Sequence, residues 1–238
     1  MIDAYLHAGG PRFGSASLAL RELDRHQISS SNIVLPPSCP DFEALQTARE
    51  LKGNQVRLIG IPFGDSPEQR AELTAWQIKF GINGLRVMPH EVAENRESLA
   101  LTGEAGRWLF AINPYQNTDM QRILLDWLEK YPKARIVCPH FFKPGRIESF
   151  VEDPGLFRTF LEHPRFFVIF SRHGNTGTST PYPHPDLKPW VEDVIGCCSW
   201  DKVMWGSEYP VLYWRDESIP QAADWIRELL PDISTDQY

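Results

Sequence analysis

The chain has 238 residues, of which 42% are hydrophobic, enough to fill a substantial core and typical of one large domain. Its formal net charge is −7, and no long run of lysine or arginine occurs. This balance argues against a nucleic-acid surface or an anionic membrane as the main partner. We therefore expect a single domain over residues 1–238 that acts on a small molecule, and the sequence leaves homo-oligomers open.

The cysteines and the apolar runs bear on where the protein resides. Four cysteines, at positions 39, 138, 197 and 198, include no C-x-x-C pair and lack the spacing of a zinc site or a disulfide framework, so we expect them to be reduced. No apolar run approaches the roughly 20 residues that a membrane helix needs, and the N-terminus opens on a strand-like segment. The sequence predicts a cytoplasmic protein.

Short apolar runs rich in β-branched residues recur along the whole chain, each followed by a stretch with helical spacing of apolar residues. Their starts are about 25 to 35 residues apart, the length of one βα unit. In chain order the eight predicted strands cover residues 1–7, 33–38, 56–62, 82–88, 108–113, 135–140, 166–171 and 202–208.

Helix starts can be read between these strands. Patterns of the capping-box type begin at Ser66, Thr118 and Ser218. The clearest helix follows Thr118, where apolar residues recur on one face and predict a helix that covers a sheet. The apolar positions of that stripe are Met120, Ile123, Leu124, Trp127, Leu128 and Tyr131.

Eight strand-helix repeats in a chain of this length are typical of an α/β protein with the (β/α)₈ TIM-like barrel fold. A doubly wound open sheet is the alternative. The first predicted strand is not followed by a G-x-G-x-x-G or phosphate-loop sequence, and polar residues end many strands rather than one switch point. The pattern favours the barrel.

Active sites of such barrels lie at the C-terminal ends of the strands. Side-chain alternation along strands one, four, six and eight directs four polar residues inward: His7, Arg86, His140 and Glu208. A charged residue in a packed barrel needs a partner or a function. A buried Arg86–Glu208 ion pair and two satisfied core histidines are the structural alternative to an active site.

The seventh strand is followed by Arg172 and His173, of which alternation turns one into the barrel. Both are candidate substrate-binding residues. The loop over 174–185 is long, polar and rich in turn residues, so it is interpreted either as a lid or as a surface excursion.

Four segments resemble the amidohydrolase-related (amidohydrolase 2) family of the amidohydrolase superfamily, whose members are (β/α)₈ barrels. DAYLH over residues 3–7 is similar to the family's first-strand Asp-x-His-x-His, and VMWGSEYP over 203–210 to its last strand ending in Gly-Ser/Thr-Asp-x-Pro. CPHFFKPG over 138–145 and GLRV over 84–87 look like its histidine-bearing and Gly-x-Arg strands. The chain departs from the family at Tyr5, in the place of a histidine, and at Glu208, in the place of an aspartate.

The resemblance is strongest to metal-independent lactonases and implies a hydrolase of a lactone or other cyclic ester of a small carboxylated compound. Glu208 would activate water, Arg86 with His140 would hold the substrate carboxylate or the oxyanion, and Tyr5 and His7 would orient the carbonyl. The cofactor is left open between none and one divalent metal such as zinc, whose ligands would be His7, His140 and Glu208. Two alternatives stay open: a metal-dependent decarboxylase of the same superfamily, and a degenerate barrel that acts as a binding or interaction protein.

Overall fold

Eight parallel strands form one sheet in sequential order, and this confirms the predicted (β/α)₈ barrel. The computed structural model describes residues 1–37, 40–114, 117–171, 178 and 180–234. Most strands are one to three residues shorter than predicted, and the second and eighth differ most. The second starts three residues earlier and ends four residues sooner, and the eighth starts one residue later and ends three residues sooner. The strands are β1 (Ile2–His7), β2 (Ser30–Val34), β3 (Val56–Gly60), β4 (Gly84–Val87), β5 (Trp108–Ala111), β6 (Arg135–Pro139), β7 (Phe166–Phe170) and β8 (Val203–Trp205).

Helices fill the connections between the strands. The fourth crossover contains two of them, and no helix in the described ranges is both long and apolar enough to cross a membrane. The helices are α1 (Ala16–Arg25), α2 (Phe42–Lys52), α3 (Pro67–Phe80), α4 (Pro89–Glu94), α5 (Arg96–Glu104), α6 (Thr118–Lys130), α7 (Pro154–Glu162), α8 (Lys188–Cys198) and α9 (Ile219–Leu229).

The helix caps follow the sequence signals at two of three sites. Ser66 and Ser218 cap α3 and α9 as predicted. The cap of α6 lies one residue earlier than predicted, because the Asn117 side chain accepts a hydrogen bond from the Met120 amide at 2.8 Å. Asparagine is among the strongest N-cap residues, which explains the shift.

Apolar residues form one core between the sheet and the helices and a second core inside the barrel. The alternation of side chains along each strand produces this division. The inner core consists of Ala4, Tyr5, Val34, Ile59, Phe110, Val137 and Ile169.

The inner core corrects two of the expected side-chain directions. Alternation back from an inward His140 predicts Ile136 and Cys138 inside, but both pack in the outer core, and Val137 faces the barrel interior. Alternation back from an inward His7 predicts that Ala4 faces the helices, but Ala4 packs inside beside Tyr5. The register of β1 against β2 shifts between Asp3 and Leu6, so simple alternation fails there.

The barrel closes along the seam between β1 and the segment that continues β8. The Glu208 amide donates to the Tyr5 carbonyl at 2.8 Å, and the His7 amide donates to the Tyr209 carbonyl at 2.8 Å. Asp3 adds a side-chain clamp, since its carboxylate accepts from the Ser207 hydroxyl at 2.5 Å and from the Ser207 amide at 3.0 Å. These contacts hold β1 against the segment that follows β8.

Burial in this clamp shifts the pKa of the Asp3 carboxyl. It is fully buried, and burial raises its pKa to about 6, against the opposing effect of the hydrogen bonds from Ser207 and the Tyr5 amide. The desolvation of the charge therefore outweighs the three donors that stabilise it.

Gly206 lies where β8 passes close to β1 and β7. A Cβ at this position would lie 2.8 Å from Tyr5 Cβ and 2.9 Å from Ile169 Cγ2. We predict that Gly206→Ala lowers the free energy of unfolding by about 1–3 kcal/mol through overpacking, measured by urea denaturation. Gly196→Ala in α8 is the control, since an added Cβ there meets nothing within 4 Å and removing a helical glycine stabilises by up to about 1 kcal/mol. Equal effects of the two substitutions would contradict the packing argument.

The raised pKa of Asp3 predicts a pH-dependent stability. Between its unfolded value of 3.8 and its folded value of about 6, the folded state binds more protons, so stability falls as pH rises through this window. Relative to Asp3→Asn, the wild type should lose up to about 3 kcal/mol of unfolding free energy between pH 4 and pH 6.5. Urea denaturation of both proteins across this range measures the difference, and parallel pH curves would show that Asp3 is not the cause.

Candidate active site

The four polar residues expected inside the barrel all lie at the C-terminal ends of strands and are buried. His7 ends β1, Arg86 lies in β4, His140 directly follows β6, and Glu208 follows β8. Their exposed fractions are between 2% and 7%. The barrel therefore brings together side chains that are up to 201 positions apart in the sequence, as positions 7 and 208 are.

The Glu208 carboxylate is held from two sides. Its Oε2 lies 2.9 Å from Nη1 of Arg215, and its Oε1 lies 3.3 Å from Nε2 of His140. Arg215 also pairs with Glu217 through its Nε at 3.1 Å. No local sequence pattern indicates Arg215, which lies seven residues beyond Glu208 in a short 3₁₀ segment, Val211–Arg215.

His140 is oriented by Ser171 at the end of β7. The serine hydroxyl lies 3.0 Å from Nδ1 of the imidazole and accepts the His140 amide at 3.2 Å. Ser171 is fully buried, and its contacts with the amide and the ring of His140 hold the imidazole in place. This contact was missed because a serine at a strand end has no distinguishing sequence pattern.

Two of the site residues adopt left-handed backbone conformations, with φ of 59° at His140 and 56° at Glu208. Residues with a side chain rarely take this conformation, and such strain is concentrated at functional sites. At His140 the conformation has a direct effect. Alternation from Val137 would turn the imidazole toward the helices, and the left-handed turn directs it to Glu208 instead.

The His7 imidazole is fixed by backbone. Its Nδ1 lies 2.7 Å from the Val34 carbonyl oxygen. Because a carbonyl only accepts, Nδ1 carries the proton in the neutral ring and Nε2 is then the basic nitrogen. The position and the tautomer of His7 thus follow from the pairing of β1 with β2.

Tyr5 occupies the centre of the arrangement. Its ring packs edge-on against both imidazoles, at centroid distances of 5.0 Å to His7 and 4.8 Å to His140. Its hydroxyl accepts a hydrogen bond from Nε of Arg86 at 2.9 Å. The phenol therefore joins three of the predicted site residues.

Two guanidinium groups retain unused donors. Within the described ranges, Nη1 of Arg86 and Nη2 of Arg215 are buried and have no hydrogen-bond partner. A buried donor without a partner is costly, and an arginine fork matches the geometry of a carboxylate. The arrangement can therefore bind an anionic group.

The described side chains do not form a site for a divalent metal. Among the residues that the structure describes, no three His, Cys, Asp or Glu side chains are grouped so that they could hold a metal ion. Of the three conditional ligands His7, His140 and Glu208, the carboxylate already faces Arg215, and the Tyr5 ring lies against both imidazoles. A three-ligand catalytic site needs these side chains to converge on one point.

The connection after β7 is described only in part. Arg172 and His173 lie outside the described residues. Of the loop over 174–185, Thr178 donates to the Asp186 carboxylate at 2.6 Å, and the Tyr182 hydroxyl donates to the Gln221 carbonyl of α9 at 3.0 Å. This part of the loop packs on the outer helix.

Aromatic side chains pack beside His7. The Phe13 ring lies 4.9 Å from the imidazole and 5.6 Å from the ring of the exposed Trp214. The Arg12 guanidinium covers both aromatic rings, 5.3 Å and 5.2 Å from their centroids. These residues were not predicted, because their proximity depends on the conformations of two loops.

The comparisons with known proteins agree with this architecture. The sequence model of the amidohydrolase family matches residues 10–236. No curated protein matches the chain. The solved structures share the fold at low sequence identity.

Three examples each cover 99% of the chain. A probable 2-pyrone-4,6-dicarboxylic acid hydrolase from Acinetobacter baumannii, with citric acid bound, has 15% identity, 96% coverage of its own chain and a TM-score of 0.74. A candidate 2-pyrone-4,6-dicarboxylic acid hydrolase from Pseudomonas putida has 19% identity, 92% coverage of its own chain and a TM-score of 0.69. An amidohydrolase from Burkholderia multivorans with bound zinc has 13% identity, 93% coverage of its own chain and a TM-score of 0.68. From the family match over nearly its whole length, the chain belongs to the amidohydrolase family and is a hydrolase.

Proposed function

We propose that this hydrolase opens a lactone or other cyclic ester of a small carboxylated compound, with water activated by Glu208. The observation that carries the proposal is the Glu208 carboxylate, buried at a strand tip and held between His140 and Arg215. A buried carboxylate that is held in position is a suitable general base.

The proposed reaction uses Glu208 as the base throughout. Glu208 takes a proton from water while the water oxygen bonds to the carbonyl carbon, which gives a tetrahedral oxyanion. The ring C–O bond then breaks, and the proton held on Glu208 passes to the departing oxygen. The product is the open hydroxy acid, or its keto form where the departing oxygen is an enolate, and the base is regenerated.

Arg86 and Tyr5 supply the binding side of the site. The guanidinium donates to the Tyr5 hydroxyl and keeps Nη1 for a ligand. Charge-assisted bonds to a substrate carboxylate fix its orientation, and donors preset around a developing oxyanion lower the barrier. His140 and His7 border the same space, consistent with contacts to the carbonyl group.

Two comparisons support the substrate class. The structures from Acinetobacter baumannii and Pseudomonas putida are named for hydrolysis of 2-pyrone-4,6-dicarboxylic acid, and the first contains citric acid. Both compounds carry several carboxylates, as the unused donors of Arg86 and Arg215 favour. 2-Pyrone-4,6-dicarboxylate is therefore the first substrate to test.

Replacing Glu208 by Gln keeps the shape and removes the basic oxygen. We predict a loss of kcat of about 10²- to 10⁴-fold. Substrate binding should change little in calorimetric titrations of the inactive variant. Steady-state hydrolysis of 2-pyrone-4,6-dicarboxylate and of simpler carboxylated lactones measures the effect.

Glu217→Gln is the matched control. It makes the same substitution on the other carboxylate that pairs with Arg215, and it leaves the proposed base in place. It should retain kcat within about tenfold. Equal turnover by Glu208→Gln and the wild type would overturn the role of Glu208. Saturable ligand binding by a wild type that hydrolyses no lactone would favour a binding protein.

Replacing Arg86 by Gln tests the anion site. Loss of a charge-assisted hydrogen bond of about 1.5–3 kcal/mol should lower kcat/KM roughly 10- to 150-fold for a carboxylated lactone. The same lactone with its carboxylate converted to a carboxamide should be hydrolysed at similar kcat/KM by both proteins. An equal loss for both substrates would show that Arg86 acts on the fold or on the oxyanion rather than on the carboxylate.

A further inference from the structure

A cavity lies beside the closing seam, toward the N-terminal end of β1. The backbone hydrogen bonds described between β1 and the β8 segment join Tyr5 and His7 to Glu208 and Tyr209, at the C-terminal end. Below them the two strands part, and a cavity of about 580 Å³ opens between Ile2 and β8. The lining of the cavity on β1 reaches Ala4, which lies three residues, or about 10 Å along the strand, before His7 of the candidate active site.

The walls of this seam cavity are unusual for a parallel barrel. All three residues of β8 are only partly buried, and Ile2 is 65% exposed. Strands of parallel sheets are normally covered on both faces. Here the covering helix α9 contributes Trp225 to the cavity wall and leaves Val203 and Trp205 accessible to a ligand.

Size and polarity fit a small organic molecule. Ligand pockets usually measure about 300–1,000 Å³ and are mostly apolar with a few polar groups. The described walls are built largely from side chains such as Ile2, Val203, Trp205, Trp225 and Ile226. An apolar body of aromatic or aliphatic type would be buried there.

Two buried polar groups on the wall lack partners. Within the described chain, the hydroxyl of Ser31 and Nε1 of Trp205 have no hydrogen-bond partner, and Ser31 is 2% exposed. Both residues line the cavity. Buried polar atoms are nearly always hydrogen-bonded in native proteins, so these two leave unused hydrogen-bonding capacity in residues of the wall.

The charge of the wall favours an anionic ligand. Arg57, in β3, has the one charged side chain among the described residues that line the cavity. It is exposed and stands opposite Asn32 in the strand register. In a chain with a net charge of −7, a wall with an arginine and no carboxylate selects for an anion.

We propose that the seam cavity is a binding site for a small amphiphilic carboxylate, with its apolar body against Trp205 and Trp225 and its carboxylate on Arg57. This site is separate from the proposed chemistry at Glu208. Binding at this site does not depend on the reaction at Glu208, because the residues that line the cavity are not those proposed to act in the reaction.

The test uses decanoate as the probe in isothermal titration calorimetry with the full chain. We expect one saturable site for decanoate. The uncharged 1-decanol should bind at least about tenfold more weakly than decanoate. Arg57→Glu and Arg57→Gln should weaken decanoate binding by a similar factor or more. Ile2→Trp should weaken it by filling the entrance. Both positions are exposed, so these variants are expected to fold, and circular dichroism checks this.

Two variants act as controls. Arg122→Gln removes an exposed arginine on α6, and Arg86→Gln weakens the anion site of the active centre. Both should bind decanoate like the wild type. The proposal is overturned by absence of saturable binding, by equal binding of decanoate and 1-decanol, by binding that survives both Arg57→Glu and Ile2→Trp, or by binding that only Arg86→Gln removes. Sedimentation showing a dimer that Ile2→Trp dissociates would assign the cavity to a second copy of the chain and also overturn it.

Discussion

Closure of the barrel between its first and last strands is the constraint on which the rest of the structure depends. The seam joins Asp3 to Ser207 through a fully buried carboxylate, at the cost of a pKa raised by desolvation. Close approach of the strands also requires a glycine at 206, since any side chain there would overlap Tyr5. Tyr5 and Glu208 are themselves partners in the backbone hydrogen bonds of the seam. Closure of the barrel therefore also brings the residues of the candidate site together.

The site combines rigidity with local strain. Left-handed backbone at His140 and Glu208 would be costly in isolation, and it is maintained by Ser171 on one side and Arg215 on the other. Tyr5 fills the middle of the arrangement, so each functional side chain touches another that is already fixed. Such mutual support is what holds catalytic groups within the small tolerances that chemistry requires.

The sequence was sufficient for the architecture and for the identity of the central polar residues. Apolar runs at regular spacing identify eight strands because burial of both faces of a parallel sheet demands them. The directions of side chains were less predictable. On β6, alternation wrongly placed Ile136 and Cys138 inside, and His140 reaches the site only through a single left-handed residue. Arg215 and Ser171 could not be found, because their roles arise from contacts between loops and strand ends that no local pattern encodes.

The Arg215–Glu208 pair has a consequence for how this barrel relates to metal-containing relatives. The guanidinium places a positive charge 2.9 Å from the carboxylate oxygen, where a metal ion would compete with it for the same ligand. A histidine at position 5 would therefore supply a nitrogen donor, yet the Arg215 guanidinium would still face the Glu208 carboxylate. The same substitution would remove the phenol that accepts a hydrogen bond from Arg86. A metal site at Glu208 would therefore involve positions 5 and 215 together.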